Sequence, residues 1–300
     1  KDFVSGLSAF RQAVTFFPNN VEARVVSKRM VNEFSSIYTD GTADSMTPLT
    51  ALSMYDQFRE LTPVGRRGDR IIQRLADRLV EVDLLDRASV LLDRQVKFRL
   101  RGKQKAIVGS KLALIRLLDR QPKMALDALN ESVSPGLDSG LALERKRLRS
   151  RSVFELGDSE SALKLIRNDE SRKADLLRAD IYWRTQDWER SALIYQRLIG
   201  DTGKDGRRLS DLSATLVVNW VVSLSMNGQK DKLNEARQVY APMMDSTRYR
   251  EAFRLITNKT ADDLQDFRTL TERFQEIGRF QGFLTSYREK LRDQPLSKIR

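Results

Sequence analysis

The chain has 300 residues, with 53 Lys+Arg against 41 Asp+Glu, a formal charge of +12 at pH 7, and neither His nor Cys. The missing residue types exclude disulfides, a thiolate nucleophile, iron–sulfur clusters, Cys- or His-ligated zinc and any Ser-His-Asp triad. At 40% hydrophobic residues and 7 Pro, the composition belongs to a folded chain, not a disordered one. The lack of Cys suits a reducing cytosol and a bacterial periplasm or cell envelope equally, so the compartment stays open.

The opening GLSAFRQAVTFFPNN places Gly6, Phe10, Ala13, Pro18, Asn19 and Asn20 as the second helix of a helix pair and its closing turn. Its first helix is not in the chain, so the chain is expected to be a piece of a longer array. Asp40–Pro48 is polar and turn-rich and predicts a loop. Beyond it, apolar residues recur at i, i+3, i+4 and i+7. Ile71, Ile72, Leu75 and Leu79 form one such window, and Leu112, Ile115 and Leu118 another. This period predicts amphipathic helix.

Four segments share one pattern of helix, short polar turn and second helix: Arg70–Leu92, Ile107–Leu129, Arg145–Ile166 and Leu176–Ile199. Ala88, Ala125, Ala162 and Ala192 mark their second helices, at spacings of 37, 37 and 30. Loop insertions between stacked helix pairs produce such drift. Ser132–Ser139 and Gly200–Asp211 predict loops, the second a plausible hinge. Leu212–Met226 and Leu233–Tyr240 predict helices, with Asn227-Gly228 between them as a helix end closed by glycine. Thr260 starts a last amphipathic stretch, Ala261–Arg292, expected to cap the array. The expected division is a repeat region over 1–200 and further pairs with capping helices over 201–300. The apolar run 216–224 is broken by Asn219 and Ser223 and is too short to span a membrane.

These units resemble tetratricopeptide repeats. In the fourth, Ala179, Tyr182, Asp187, Trp188, Ser191 and Tyr195 fall at that pattern's offsets. In the third, Ser150, Val153, Gly157, Asp158, Ala162 and Ile166 do. The first supplies Ala76, Leu79, Ala88 and Leu92, and the second Ala113, Ala125 and Leu129. All four lack the closing Pro and are degenerate. The run Tyr55–Ala88 is also similar to the C-terminal repeat region of large alphaproteobacterial repeat proteins. The resemblance implies an all-α fold, a right-handed α-solenoid of about six or seven stacked antiparallel helix pairs. It also implies that first-helix positions line an inner groove: Arg147, Arg151 and Phe154 in the third unit, Leu176, Asp180 and Trp183 in the fourth. Two Arg four residues apart on one helix face suit a carboxylate. The alternative is a groove filled by the chain's own helices or loops. Tyr182 and Tyr195 sit at packing positions, and Trp183 is the candidate surface anchor.

A second constellation is basic. Arg94, Lys97, Arg99, Arg101, Lys103, Lys105, Lys111 and Arg116 occur with no acid among them, followed by Arg145, Lys146, Arg147, Arg149 and Arg151. This surplus is either an electropositive surface for an acidic partner or a solvated face that keeps the array soluble. Nucleic acid is the less favoured partner, because only Phe98 interleaves the first run for stacking. The carboxylate pairs Asp83/Asp86 and Asp262/Asp263 suit turn and cap roles, and Gly200–Lys204 lacks the spacing and preceding strand of a phosphate loop. No cofactor and no catalysis are expected. The expected function is a protein-binding scaffold or adaptor that takes another protein or its own copies. A structural subunit of a bacterial envelope or motility assembly is one alternative. Salt-dependent binding of nucleic acid or an anionic surface is the other.

Overall fold

The computed structural model describes residues 3–17, 21–202 and 208–258. Every regular element among them is helical. In chain order these are α1 (Phe3–Phe16), α2 (Val21–Thr39), α3 (Pro48–Gln57), α4 (Arg66–Glu81), α5 (Leu85–Phe98), α6 (Gly102–Leu118) and α7 (Pro122–Glu131). There follow α8 (Ser139–Glu155), α9 (Ser159–Leu165), α10 (Arg172–Arg184), α11 (Trp188–Ile199), α12 (Asp211–Met226), α13 (Lys230–Met244) and α14 (Arg250–Asn258). The predicted loop at 40–48 contains a 3₁₀ turn, Thr42–Ser45. The expected helices of Ala261–Arg292 with their Thr260 start, the closing turn at Pro18–Asn20 and the middle of the expected hinge lie outside the described residues.

The described residues fall into two compact units, one holding those up to Leu148 and the other those from Arg149, a division within α8. In each, helices pack on their neighbours in sequence: α4 on α5, α5 on α6 and α6 on α7 in the first, α10 through α14 in the second. The fold is all-α and solenoid-like.

One local device repeats five times. The first helix of each pair ends in a three-residue turn whose middle residue is left-handed: Asp83 (φ 61°), Arg120 (57°), Gly157 (97°), Gln186 (58°) and Gly228 (68°). In each turn one backbone N–H reaches back five residues: Leu84 to Leu79, Gln121 to Arg116, Asp158 to Val153, Asp187 to Tyr182 and Gln229 to Leu224, at 2.7–3.2 Å. The residue before it donates three residues back. The pair of bonds satisfies the carbonyls a helix end leaves open. Five residues after the left-handed one comes the residue whose N–H closes the second helix's first turn: Ala88, Ala125, Ala162, Ser191 and Leu233. Ser191, not Ala192, is therefore the equivalent position in the fourth pair. The spacings become 37, 37, 29 and 42.

Small residues at these positions let the helices approach. Ala76, Ala88, Ala113, Ala125, Ser150, Ala162 and Ser191 are fully buried. Ser150 Oγ donates to the Ala162 carbonyl at 2.7 Å, joining α8 to α9. Ser191 Oγ meets Ser223 Oγ at 3.0 Å, joining α11 to α12. Large side chains fill the spaces between pairs. In the first unit the tilted rings of Phe34 and Tyr38 lie 5.1 Å apart, near Tyr55, and Tyr38 donates to the Ala51 carbonyl. In the second, Trp183, Tyr195, Val217, Val221, Met244 and Phe253 share one core.

Arginine side chains bind backbone carbonyls at helix ends and within helices. Arg78 donates to Ala43 O (2.6 Å) and Met46 O (2.5 Å), and Arg116 to Met124 O (2.8 Å). Arg145 on α8 reaches Leu129 O at the end of α7 (2.6 Å) and Ala106 O (2.8 Å). Arg178 on α10 spans Ile166 O (2.5 Å) and Asp169 O (2.8 Å) after α9, and Arg172 takes Leu198 O (2.6 Å). A planar five-donor fork can serve two carbonyls at once, which an ammonium does less well. Much of the positive surplus thus works inside the fold.

Candidate functional site

The expected inner-groove residues of the second unit are engaged with one another. Arg151 is 1% exposed and pairs with Asp180 and, at 2.6 Å, with Glu155. Arg184 bonds the same Glu155 at 2.9 Å and lies 4.4 Å above the Phe154 ring. Two guanidinium groups thus face two carboxylates. The expectation that Arg151 holds a partner's carboxylate is corrected: Asp180 and Glu155 of its own unit already occupy it. Trp183 is 7% exposed, set edge-on to Trp188 at 5.3 Å and to Tyr195 at 6.0 Å. Core packing replaces the surface-anchor role expected for it. Phe154 is buried and Leu176 half-buried against the core, and Arg147, in the first unit, is buried.

The basic run is also largely neutralised, by Asp93 directly before it and by acids from other elements that a local window does not show. Lys97 binds Asp93 (2.8 Å) and Glu131 (3.6 Å); the Asp93 hydrogen bond is the main cause of its raised pKa, and burial opposes it. Arg99 binds Asp69 (2.9 Å) and the Pro63 carbonyl (2.6 Å), and Lys103 binds Asp138 (2.9 Å). Arg145 is half-buried and donates to carbonyls. Arg101 is exposed and donates to Leu100 O; Lys146 is exposed, and Lys105 and Arg149 are half-buried. Arg94 is exposed and carries no hydrogen bond or ion pair among the described residues.

Arg94 opens onto a groove that sequence reasoning did not foresee. After α3 the chain makes a 3₁₀ turn, Arg59–Leu61, and then runs extended through Thr62 and Pro63 to α4. This segment lies across the C-terminal half of α5. Between them is a cavity of about 420 Å³ lined by Tyr55, Arg59, Thr62, Ile72, Leu91, Arg94, Gln95, Phe98 and Arg99. A second hollow of about 330 Å³ shares Arg59, Leu91 and Arg94 with it.

The wall is braced. Arg99 ties Pro63 O to Asp69, and Gln95 Nε2 donates to Asp69 O at 3.1 Å. Gly68 permits the approach: a Cβ there would overlap the Pro63 carbonyl oxygen and lie 2.6 Å from Arg99 Nη2. With Nε2 so engaged, Gln95 Oε1 is buried with no protein partner among the described residues. Gln95 is 0% exposed, while Phe98 at the rim is 76% exposed. Burial holds the Tyr55 hydroxyl above its usual pKa, partly offset by Thr62, Arg99 and Arg59, so it stays protonated.

Arg59, like Arg94, is exposed and has no ion pair or hydrogen bond among the described residues. The site therefore offers two uncommitted guanidinium groups for an anion, one acceptor for an N–H donor, and an apolar surface. A polar Gln95 among Leu91, Leu92 and Val96 on the buried face of α5 was the one sequence signal that could have found it.

No known protein family and no curated protein matches the sequence.

Proposed function

We propose that the protein is a non-catalytic scaffold of degenerate tetratricopeptide-like repeats, of bacterial origin, that binds another protein. The observation that carries this reading is the groove of the first unit, where Arg59 and Arg94 stand uncommitted beside an exposed Phe98. Uncommitted Arg next to an exposed aromatic ring is the chemistry of protein contact hot spots. The repeated turn supports the repeat assignment, since it recurs through five consecutive pairs.

The test is retention on an immobilised chain, compared with an Arg59→Ala/Arg94→Ala variant, at low and moderate salt. One discrete protein held at moderate salt by the parent and lost by the variant supports the scaffold. Mixed nucleic acid that leaves steeply with salt overturns it in favour of an electrostatic surface.

A further inference from the structure

We infer that the groove between the 3₁₀ turn Arg59–Leu61 and α5 is a subsite for an extended peptide of a partner protein carrying an acidic and an apolar side chain two residues apart. The inference rests on the scaffold reading and names the ligand that reading leaves open.

Three groups of the groove define three parts of the ligand. Arg59 and Arg94 ask for a carboxylate, because no acid among the described residues engages either. Asp56 is the one acid of the adjoining hollow, against Arg59, Arg87 and Arg94, so the groove keeps net positive charge. Gln95 Oε1 asks for an N–H. A buried acceptor without a partner is costly, and its Nε2 cannot turn to help while it bonds Asp69 O. Phe98, with Leu91 and Ile72 deeper in, asks for an apolar side chain.

A carboxylate, a backbone N–H and an apolar group in a row are a peptide. A nucleotide offers anion and stacking face but would meet Gln95 by base edge alone. The register follows from helix geometry. Arg94 and Phe98 are one turn apart on α5, a rise of about 6 Å. Alternate side chains of an extended chain lie about 6.6 Å apart on one face. An acidic residue over Arg94 therefore puts the residue two positions along the peptide, before or after it according to chain direction, over Phe98. The N–H between them lies level with Gln95. The groove is formed by a second helix and the segment before its pair, not by the first-helix positions where the tetratricopeptide resemblance locates its inner surface.

The experiment measures binding of acetylated, amidated octapeptide libraries by fluorescence polarisation. In them a Glu and a Leu or Phe are fixed with zero, one or two residues between. Matched libraries carry Gln for Glu, or Ser for the apolar residue. The one-residue spacing is expected to bind best, at least tenfold over the Gln and Ser libraries. N-methylation of the intervening amide, and the Arg59→Ala/Arg94→Ala variant, each remove that preference, whereas Arg101→Ala keeps it. Arg59 and Arg94 carry no hydrogen bond or ion pair among the described residues, so the thermal midpoint of the variant stays at the parent value. Equal binding at all spacings, binding unchanged in the variant, or an oligonucleotide that outcompetes every peptide overturns the inference. A protein retained by the parent chain, while all peptide libraries fail, overturns the subsite and leaves the scaffold standing.

Discussion

Gly68 has no side chain because the Pro63 carbonyl and the Arg99 guanidinium already fill the space one would take. Gly68→Ala is expected to lower the urea midpoint by an amount equivalent to about 1–3 kcal/mol, the usual cost of overpacking. Gly6→Ala, where a Cβ meets nothing, is expected to be neutral or mildly stabilising. The arginines divide in the same way. Arg145→Lys loses the fork over Leu129 O and Ala106 O and should cost about 1–3 kcal/mol, because buried carbonyls lose their donors. Arg94→Lys should stay within about 0.5 kcal/mol of the parent, as an exposed substitution does. Acid sensitivity belongs to the same scale. The Ser161 backbone N–H, then its hydroxyl, hold the Asp158 carboxyl below its usual 3.8. A folded pKa below the unfolded one gives stability that is present above the unfolded value and lost as pH falls through the folded one. Asp158→Asn keeps the capping oxygen but cannot titrate, so its thermal midpoint should fall less steeply from pH 5 to 2. Residue identity alone revealed where small side chains pack, as at Ala88, Ala125 and Ala162. It did not show which Arg are buried, because Arg99 meets Asp69 thirty residues away.

The five turns share one backbone path but not one residue type. Gly157→Ala places a side chain at φ 97° and should cost about 1 kcal/mol. Arg120→Gly and Gln186→Gly act in the opposite direction: each relieves a left-handed side chain and should stabilise by a few tenths of a kcal/mol up to about 1. Chemical denaturation of the three variants checks the signs. The first four pairs were legible because apolar period and turn fall together. The fifth, α12–α13, was legible as two helices but not as a copy of the same pattern. Its equivalent of the small position is Leu233, and Arg237 stands where the others carry Leu92, Leu129, Ile166 and Tyr195. Ala236 and Tyr240 fill the core instead. Only Asn227-Gly228 announced it. The groove escaped for another reason. It is made where a 3₁₀ turn and an extended segment cross a helix more than thirty residues on, and no periodicity encodes that crossing.

Helices that pack mainly on sequence neighbours give a molecule whose stability is a sum of local interfaces. Val221 is fully buried on α12 within the core of the second unit. Val221→Ala should therefore lower amide-exchange protection in α11, α12 and α13 by about 1–3 kcal/mol, the cost of a small cavity. Protection in α4 through α7 should be unchanged. A uniform drop across all helices would show that the chain opens as a single cooperative body. The all-α class and pairwise order were legible at this scale, because they follow from composition and period; the compensation of a +12 chain by its own carboxylates and carbonyls was not, because it is a property of contacts.

The turns within pairs are all three residues long, whereas the connections that follow α5, α7, α9 and α11 differ in length from one pair to the next. The turn never changes length, so the differences in repeat length fall on these connections and on the helices themselves. Each pair thus has a fixed hinge pin at one end and a tolerant port at the other. A foreign epitope spliced between Pro135 and Gly136 should be displayed on a folded protein. The same epitope spliced between Asp83 and Leu84 would pull apart the two helices it joins.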